Sequence, residues 1–234
     1  MFNKSIQYSY AAQKHQRHRL LKFLLSFLIL FIVYNCLTAF LVSVWVIDNE
    51  TMQPGLNSGD RLLVLSFALS DSKNNLPFKR GSIVLVNRMN ERDRKLPLRI
   101  ADGIVRFFTA QRVSVFSGDG QHIKRVIALP GDEISMTDYI FRVKAGANPF
   151  SLTEFELSDK PYNPYIPQTS ALWDSSIPFS GSMDPVILGP NECFVVSDDR
   201  SNTNDSRTWG PISPSMISAR VILRFWPLNK IELF

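Results

Sequence analysis

Cysteine, histidine and early acidic residues are what this sequence has least of. Its two cysteines, Cys36 and Cys193, fall in an apolar N-terminal stretch and in the polar C-terminal half. Two thiols in such different surroundings are not expected to form an intramolecular disulfide. The three histidines, His15, His18 and His122, belong to no Cys/His cluster with metal-ligand spacing, so no metal centre is expected. With 11 Gly and 14 Pro in 234 residues, a collagen-like or low-complexity chain is excluded. No internal repeat points to a solenoid or propeller. No acidic residue precedes Asp48, whereas Lys4, Lys14, Arg17, Arg19 and Lys22 all do.

This basic tail, residues 1–22, leads into the longest uncharged run. Residues 23–47 read FLLSFLILFIVYNCLTAFLVSVWVI, 25 positions without a charge. About 20 apolar residues cross the hydrocarbon core as a helix, and a few scattered polar positions such as Asn35 and Thr38 are tolerated. The run is too long for the core of a cleaved signal peptide, and Ile47-Asp48-Asn49-Glu50 is a poor cleavage site. It predicts one transmembrane anchor helix over 23–47. The positive flank keeps the N-terminus cytoplasmic and places residues 48–234 outside, which makes this a single-pass protein of the plasma or inner membrane.

The remaining roughly 190 residues suit one domain. Short segments rich in Val, Ile, Leu and Phe recur at 61–67, 82–86, 123–129, 132–136, 192–197 and 219–226, punctuated by Gly, Pro, Asn and Asp. They predict an all-β or β-rich antiparallel domain. Residues 88–112 carry seven Arg and Lys residues, with Ile100, Ile104, Phe107 and Phe108 at helical spacing. They read as a basic helical insertion packed on the domain, with contact to anionic lipid as the alternative. Residues 144–185, with Pro149, Pro161, Pro164, Pro167, Pro178 and Pro185, read as an irregular surface insertion. The net charge of +5 sits largely in the tail and in 88–112, and no nucleic-acid motif accompanies it, so nucleic acid is not an expected partner.

Three islands carry residue types suited to chemistry: NETMQPGL (49–56), KRVIALPGD (124–132) and SDDRSNTNDSRTWG (197–210). Each alone has a plain structural explanation, as a turn after a helix, a strand ending in a Pro-Gly-Asp turn, and a polar loop. Together and in this order they resemble type I signal peptidases. That family shows SMxPTL after its anchor, then KRVIGLPGD, then GDNRDNSxDSRxWG, and often a final strand leading to Trp-Pro, here Trp226-Pro227. The resemblance covers the anchor and most of 45–234 outside the two insertions.

The resemblance implies a Ser/Lys-type endopeptidase of antiparallel β fold that removes signal peptides from exported proteins, cutting after small residues without a cofactor. Its partners would be membrane-inserted signal peptides and the lipid bilayer. By position, Thr51 stands where the family has its nucleophilic Ser, and Lys124 matches the general base. Thr203 matches a hydroxyl that orients the lysine, and Asn49 stands where a side chain helps to hold the oxyanion. Asp198, Arg200, Asp205 and Arg207 match bracing ion pairs, while Ile47, Met52, Leu56 and Ile123 match the walls of shallow substrate pockets. The chain departs from the pattern at Thr51, Ser197, Asp199 and Ala128. These departures motivate the alternative of an inactive homologue that binds signal peptides or assists a partner. Self-cleaving repressor-like proteases resemble the same Ser/Lys fold, but the anchor and the lack of a helix-turn-helix segment argue against that reading. Ser180-Gly181-Ser182-Met183-Asp184-Pro185 also looks like the nucleophile box. It follows Lys124 and lies far from the anchor, so Ser182 is set aside as a decoy.

Overall fold

In the computed structural model, residues 10–40, 42–67, 76–87, 121–146, 148–168 and 181–234 are described, with side chains of the first helix described over 15–34. The basic insertion 88–112 lies outside the described residues, as do parts of 144–185. Helix α1 (Tyr10–Phe40) is followed one residue later by strand β1 (Val42–Val46). The expected anchor helix 23–47 is therefore corrected at its C-terminal end. Val42, Val44 and Val46 are β-branched at alternate positions, and β1 pairs antiparallel with β2 (Arg61–Ser66), Val44 opposite Leu63. Apolar composition runs unbroken across this junction, but the backbone does not. Eleven large apolar side chains between Leu20 and Val33 are exposed, on every side of α1. Among the described residues, no helix is long and apolar enough to cross a membrane. The apolar run continues past Tyr34 into positions whose side chains lie outside the described set.

The β-rich antiparallel expectation holds. Strands β3 (Ile83–Asn87), β4 (Gln121–Ala128), β9 (Phe194–Val196), β10 (Ile217–Trp226) and β11 (Glu232–Leu233) join β1 and β2 in a seven-stranded sheet. Its order is β1-β2-β10-β3-β4-β9, with β11 beside β10, and every named strand pair is antiparallel. A second sheet of order β7-β6-β5-β8 is built from β5 (Glu133–Thr137), β6 (Ile140–Lys144), β7 (Leu152–Thr153) and β8 (Met183–Ile187).

The core follows from alternation along the central strands. On β3, Ile83 and Leu85 pack with Ile47, Met52, Leu56, Leu62 and Val64 on one face. Val84 and Val86 pack with Phe67, Phe78, Val126 and Val195 on the other. All five β3 residues are buried, as expected of a central strand covered on both sides. A third cluster, including Ile134, Phe141, Val143 and Phe194, fills the space at the second sheet. Part of the expected irregular insertion 144–185 is ordered structure. It holds β7, a one-turn helix α2 (Glu154–Leu157) capped by a Thr153/Glu156 capping box, and the start of β8. Pro185 sits within β8, which among the described residues pairs only with β5 and forms the edge of the sheet, where a missing N–H is tolerated.

Candidate active site

Lys124 lies in the middle of β4, within a stretch buried from Ile123 to Ala128. Alternation turns Ile123 toward Met52 and Leu56, and Lys124 toward the side of its cross-strand partner Val84. The Lys124 side chain is fully buried, and its Nζ lies 5.8 Å from the centre of the Trp209 ring. Burial pulls its pKa down from 10.5 to about 8, against the pull of Asp205, Asp198 and Asp199 and with a smaller push from Arg207. The amine donates a hydrogen bond to Ser197 Oγ at 2.7 Å, and Ser197 is itself fully buried.

Ser197 opens the loop that carries most of the remaining charge. Its N–H donates to Asp205 Oδ2 at 2.9 Å. Asp205 also caps the short helix α3 (Ser206–Trp209) through the Arg207 N–H, and it pairs with the Arg207 guanidinium at 2.7 Å. Burial alone would raise the Asp205 carboxyl. The Arg207 side chain and the two N–H donors outweigh it and hold the group below the usual carboxylate range. Asp198 accepts two hydrogen bonds from Arg125, at 2.8 and 2.5 Å. Burial disfavours the Arg125 charge, but Asp198 more than restores it and raises the Arg125 pKa. Arg200, fully buried, pairs with Glu154 at 2.5 Å, and its guanidinium carbon lies 5.0 Å from the Phe141 ring centre. Among the described residues, Arg200 Nε and Nη1 have no hydrogen-bond partner.

Thr51 lies half-buried in the turn after β1. Its hydroxyl donates to Asn49 Oδ1 at 2.8 Å, and its N–H reaches the same oxygen at 3.3 Å. The Asn49 amide in turn donates to Asp48 Oδ1 at 3.1 Å. The Asn49 amide, the expected oxyanion donor, and the Thr51 N–H are thus both engaged within the turn itself. The turn is tied to the charged loop by the Asp199 N–H, which donates to the Thr51 carbonyl at 3.1 Å.

The four residues expected to line substrate pockets, Ile47, Met52, Leu56 and Ile123, are all buried and belong to one apolar cluster. All four expected bracing residues form ion pairs, though only Asp205 and Arg207 pair with each other. Asp198 takes Arg125, and Arg200 takes Glu154. The lysine's hydroxyl partner is Ser197, where Thr203 was expected. The Thr203 carbonyl accepts from Asp205 N–H at 2.8 Å and from the Thr208 hydroxyl at 2.6 Å. Ser182, the decoy, precedes β8 in the second sheet. Its neighbour Gly181 has φ +93 and packs against the Tyr139 ring, where a Cβ would stand 2.7 Å from a ring carbon. Among the described residues, no group of three His, Cys, Asp or Glu could hold a metal ion.

Three contributors were not singled out from the sequence. Glu154 accepts from the Tyr162 hydroxyl at 2.6 Å as well as from Arg200. The Tyr162 ring lies 3.7 Å from the Arg125 guanidinium carbon. Burial, with Glu154 beside it, pushes the Tyr162 hydroxyl pKa up. Trp209 closes the side of Lys124, its ring 5.5 Å from that of His122. In the sequence Glu154 and Tyr162 are two among several acidic and aromatic residues of a proline-rich stretch, and nothing local sets them apart.

A buried lysine on a β-strand, hydrogen-bonded to a hydroxyl and tied through a charged loop to a threonine turn, has the composition of a hydroxyl/lysine hydrolase site. The family described as signal peptidase, peptidase S26, matches residues 20–226, and the chain belongs to that family. Its relatives include the protein named Signal peptidase I P of Bacillus subtilis subsp. natto, 25% identical over 222 residues, covering 94% of this chain and 96% of that protein. The protein named Signal peptidase IB of Staphylococcus aureus (strain Mu50 / ATCC 700699) is 24% identical over 216 residues, covering 92% and 94%. The one named Inactive signal peptidase IA of Staphylococcus aureus (strain COL) is 24% identical over 212 residues, covering 91% and 95%.

Proposed function

We propose that this chain is a membrane-anchored endopeptidase that removes signal peptides from exported proteins, cutting after small residues, with Thr51 as nucleophile and Lys124 as general base. The observation that carries the reading is the Lys124 amine, fully buried on β4 with its pKa drawn down to about 8. A lysine serves as a base only when it is neutral, and burial is what makes the neutral form accessible. In the reaction, Thr51 Oγ1 forms a bond to the scissile carbonyl carbon while its proton passes to Lys124. Lys124 then protonates the leaving amine as the C–N bond breaks, and water hydrolyses the resulting ester. The Thr51 hydroxyl must first leave Asn49 Oδ1, and its N–H, released from the same oxygen, becomes available to the oxyanion. The extra methyl of Thr restricts χ1. Threonine is a competent nucleophile when a neighbouring amine acts as its base.

The anchor belongs to the same reading. Among the described residues, nothing covers the apolar side chains exposed all around α1, and the run they belong to continues to Ile47 in the sequence. Anchored with its N-terminus in the cytoplasm, the domain would meet membrane-inserted signal peptides at high effective concentration.

A second reading rests on a specific observation. The Thr51 hydroxyl is engaged by Asn49 and the Lys124 amine by Ser197, which suits a non-catalytic homologue that binds signal peptides or assists a partner. Cleavage of an Ala-x-Ala substrate by the full chain in detergent decides between the two. The peptidase reading expects turnover in the wild type, its loss in Lys124→Ala, and its retention in Thr51→Ser. Unchanged turnover in Lys124→Ala would refute the assigned base. No turnover in either the wild type or Thr51→Ser would leave the non-catalytic reading standing.

A further inference from the structure

We infer that Ser197 is the positioning residue for the Lys124 amine, the role that the family pattern gives to position 203. The inference rests on the proposed base but is read from different atoms. Lys124 Nζ donates to Ser197 Oγ at 2.7 Å between two fully buried side chains. Ser197 is held in turn, because its N–H donates to Asp205 Oδ2 and Asp205 is clamped by Arg207 and caps α3. The next residue, Asp198, is locked to Arg125, the neighbour of Lys124 on β4. The hydroxyl therefore sits on a frame fixed at both ends.

An amine with one N–H directed at a fixed acceptor loses rotation about its Cε–Nζ bond. Its lone pair, when neutral, is then confined to the two remaining positions on Nζ. Ser197 is fully buried and already holds the amine, whereas the Thr51 hydroxyl is half-buried, which favours Thr51 as the group that meets a peptide carbonyl. The departure at 197 and the different use of position 203 become one coupled change. A hydroxyl supplied at 197, where the pattern has glycine, relieves position 203 of that task. The half-buried Thr203 uses its carbonyl instead to shape the turn before α3, accepting from Asp205 N–H and Thr208.

The test follows the side-chain resonances of Lys124 by NMR in the full chain, labelled at lysine and held in detergent micelles. The signal is assigned by its disappearance in Lys124→Met. In Ser197→Ala the ammonium form loses an acceptor, so the Lys124 pKa should fall by about one unit. Thr203→Val should leave it where the wild type has it. Ser197→Gly, the residue of the family pattern, serves as a second removal of the hydroxyl should the alanine variant fold poorly, and folding of each is checked by circular dichroism. Where the wild type turns over peptide, Ser197→Ala should lower kcat about tenfold or more with KM unchanged, and should move the acid limb of the pH profile together with the NMR pKa. An unmoved Lys124 titration in both Ser197 variants, or an equal shift in Thr203→Val, overturns the inference. A wild type without turnover sinks the proposed activity alone, because the titration still decides who holds the amine.

Discussion

Burying the Lys124 amine drops its pKa from 10.5 to about 8, and that shift has two measurable sides. The first, on the peptidase reading, is catalytic. Below about pH 8 the neutral fraction grows tenfold with each pH unit, so kcat/KM should rise with that slope on its acid limb and flatten above pH 8. A stopped assay across pH 6 to 9 reads this directly, and a flat profile would remove Lys124 as the titrating base. The second side is stability. Between about pH 8 and 10.5 the unfolded chain binds the proton that the folded one has shed, so stability gains with rising pH through that window. The wild type should therefore be less stable near pH 7 than near pH 10.5 by about 3 kcal/mol through this group, a pH dependence that Lys124→Met should lack. Urea melts of the two proteins at several pH values check both the sign and the window. Asp205 runs the other way. Its carboxyl is held low in the folded state, so its contribution is present above the ordinary aspartate pKa and is lost as pH falls through the folded value.

At the scale of elements, the site is a strand, a turn and a loop braced by buried charge. The Arg200–Glu154 pair is almost fully enclosed, while Lys79–Asp159 is about three-quarters exposed on both sides. Glu154→Ala leaves an uncompensated buried guanidinium and should cost about 3–5 kcal/mol. Asp159→Ala should stay within about 1 kcal/mol. Denaturant midpoints of the two variants test the contrast. Much of this scaffold could be read ahead of the structure. The Val, Ile and Leu runs marked β2, β3, β4, β5, β9 and β10 to within two residues, since a buried strand needs little beyond β-branched residues and punctuation. What stayed hidden was of two kinds. The strand β1 lay inside an apolar run, where composition does not separate helix from strand except by the alternation of Val42, Val44 and Val46. The partners of Lys124, Arg125 and Arg200 lie 73, 73 and 46 positions away, and such pairings are set by sheet register rather than by any local pattern. Ser197 was visible as a departure from the family motif, and its hydrogen bond to the amine was not.

Across the whole molecule, a β-rich domain follows a helix whose apolar side chains face outward on all sides. On the anchored reading, the full chain should float with phosphatidylethanolamine/phosphatidylglycerol vesicles in a density gradient, and a chain lacking residues 10–40 should remain at the bottom. Co-flotation of the shortened chain would assign membrane attachment to the domain instead. The junction between the two parts has a mechanical meaning. Only one residue separates the end of α1 from the first paired residue of the large sheet. On the anchored reading, so short a splice would work as a ruler, converting the depth of the helix into a set distance between the Thr51 turn and the lipid surface. Ten Gly/Ser residues spliced in at position 41 would allow excursions of about 17 Å. On the anchored peptidase reading, the lengthened protein should process a free peptide at the normal rate and lose its choice of bond in a substrate fixed in the same bilayer.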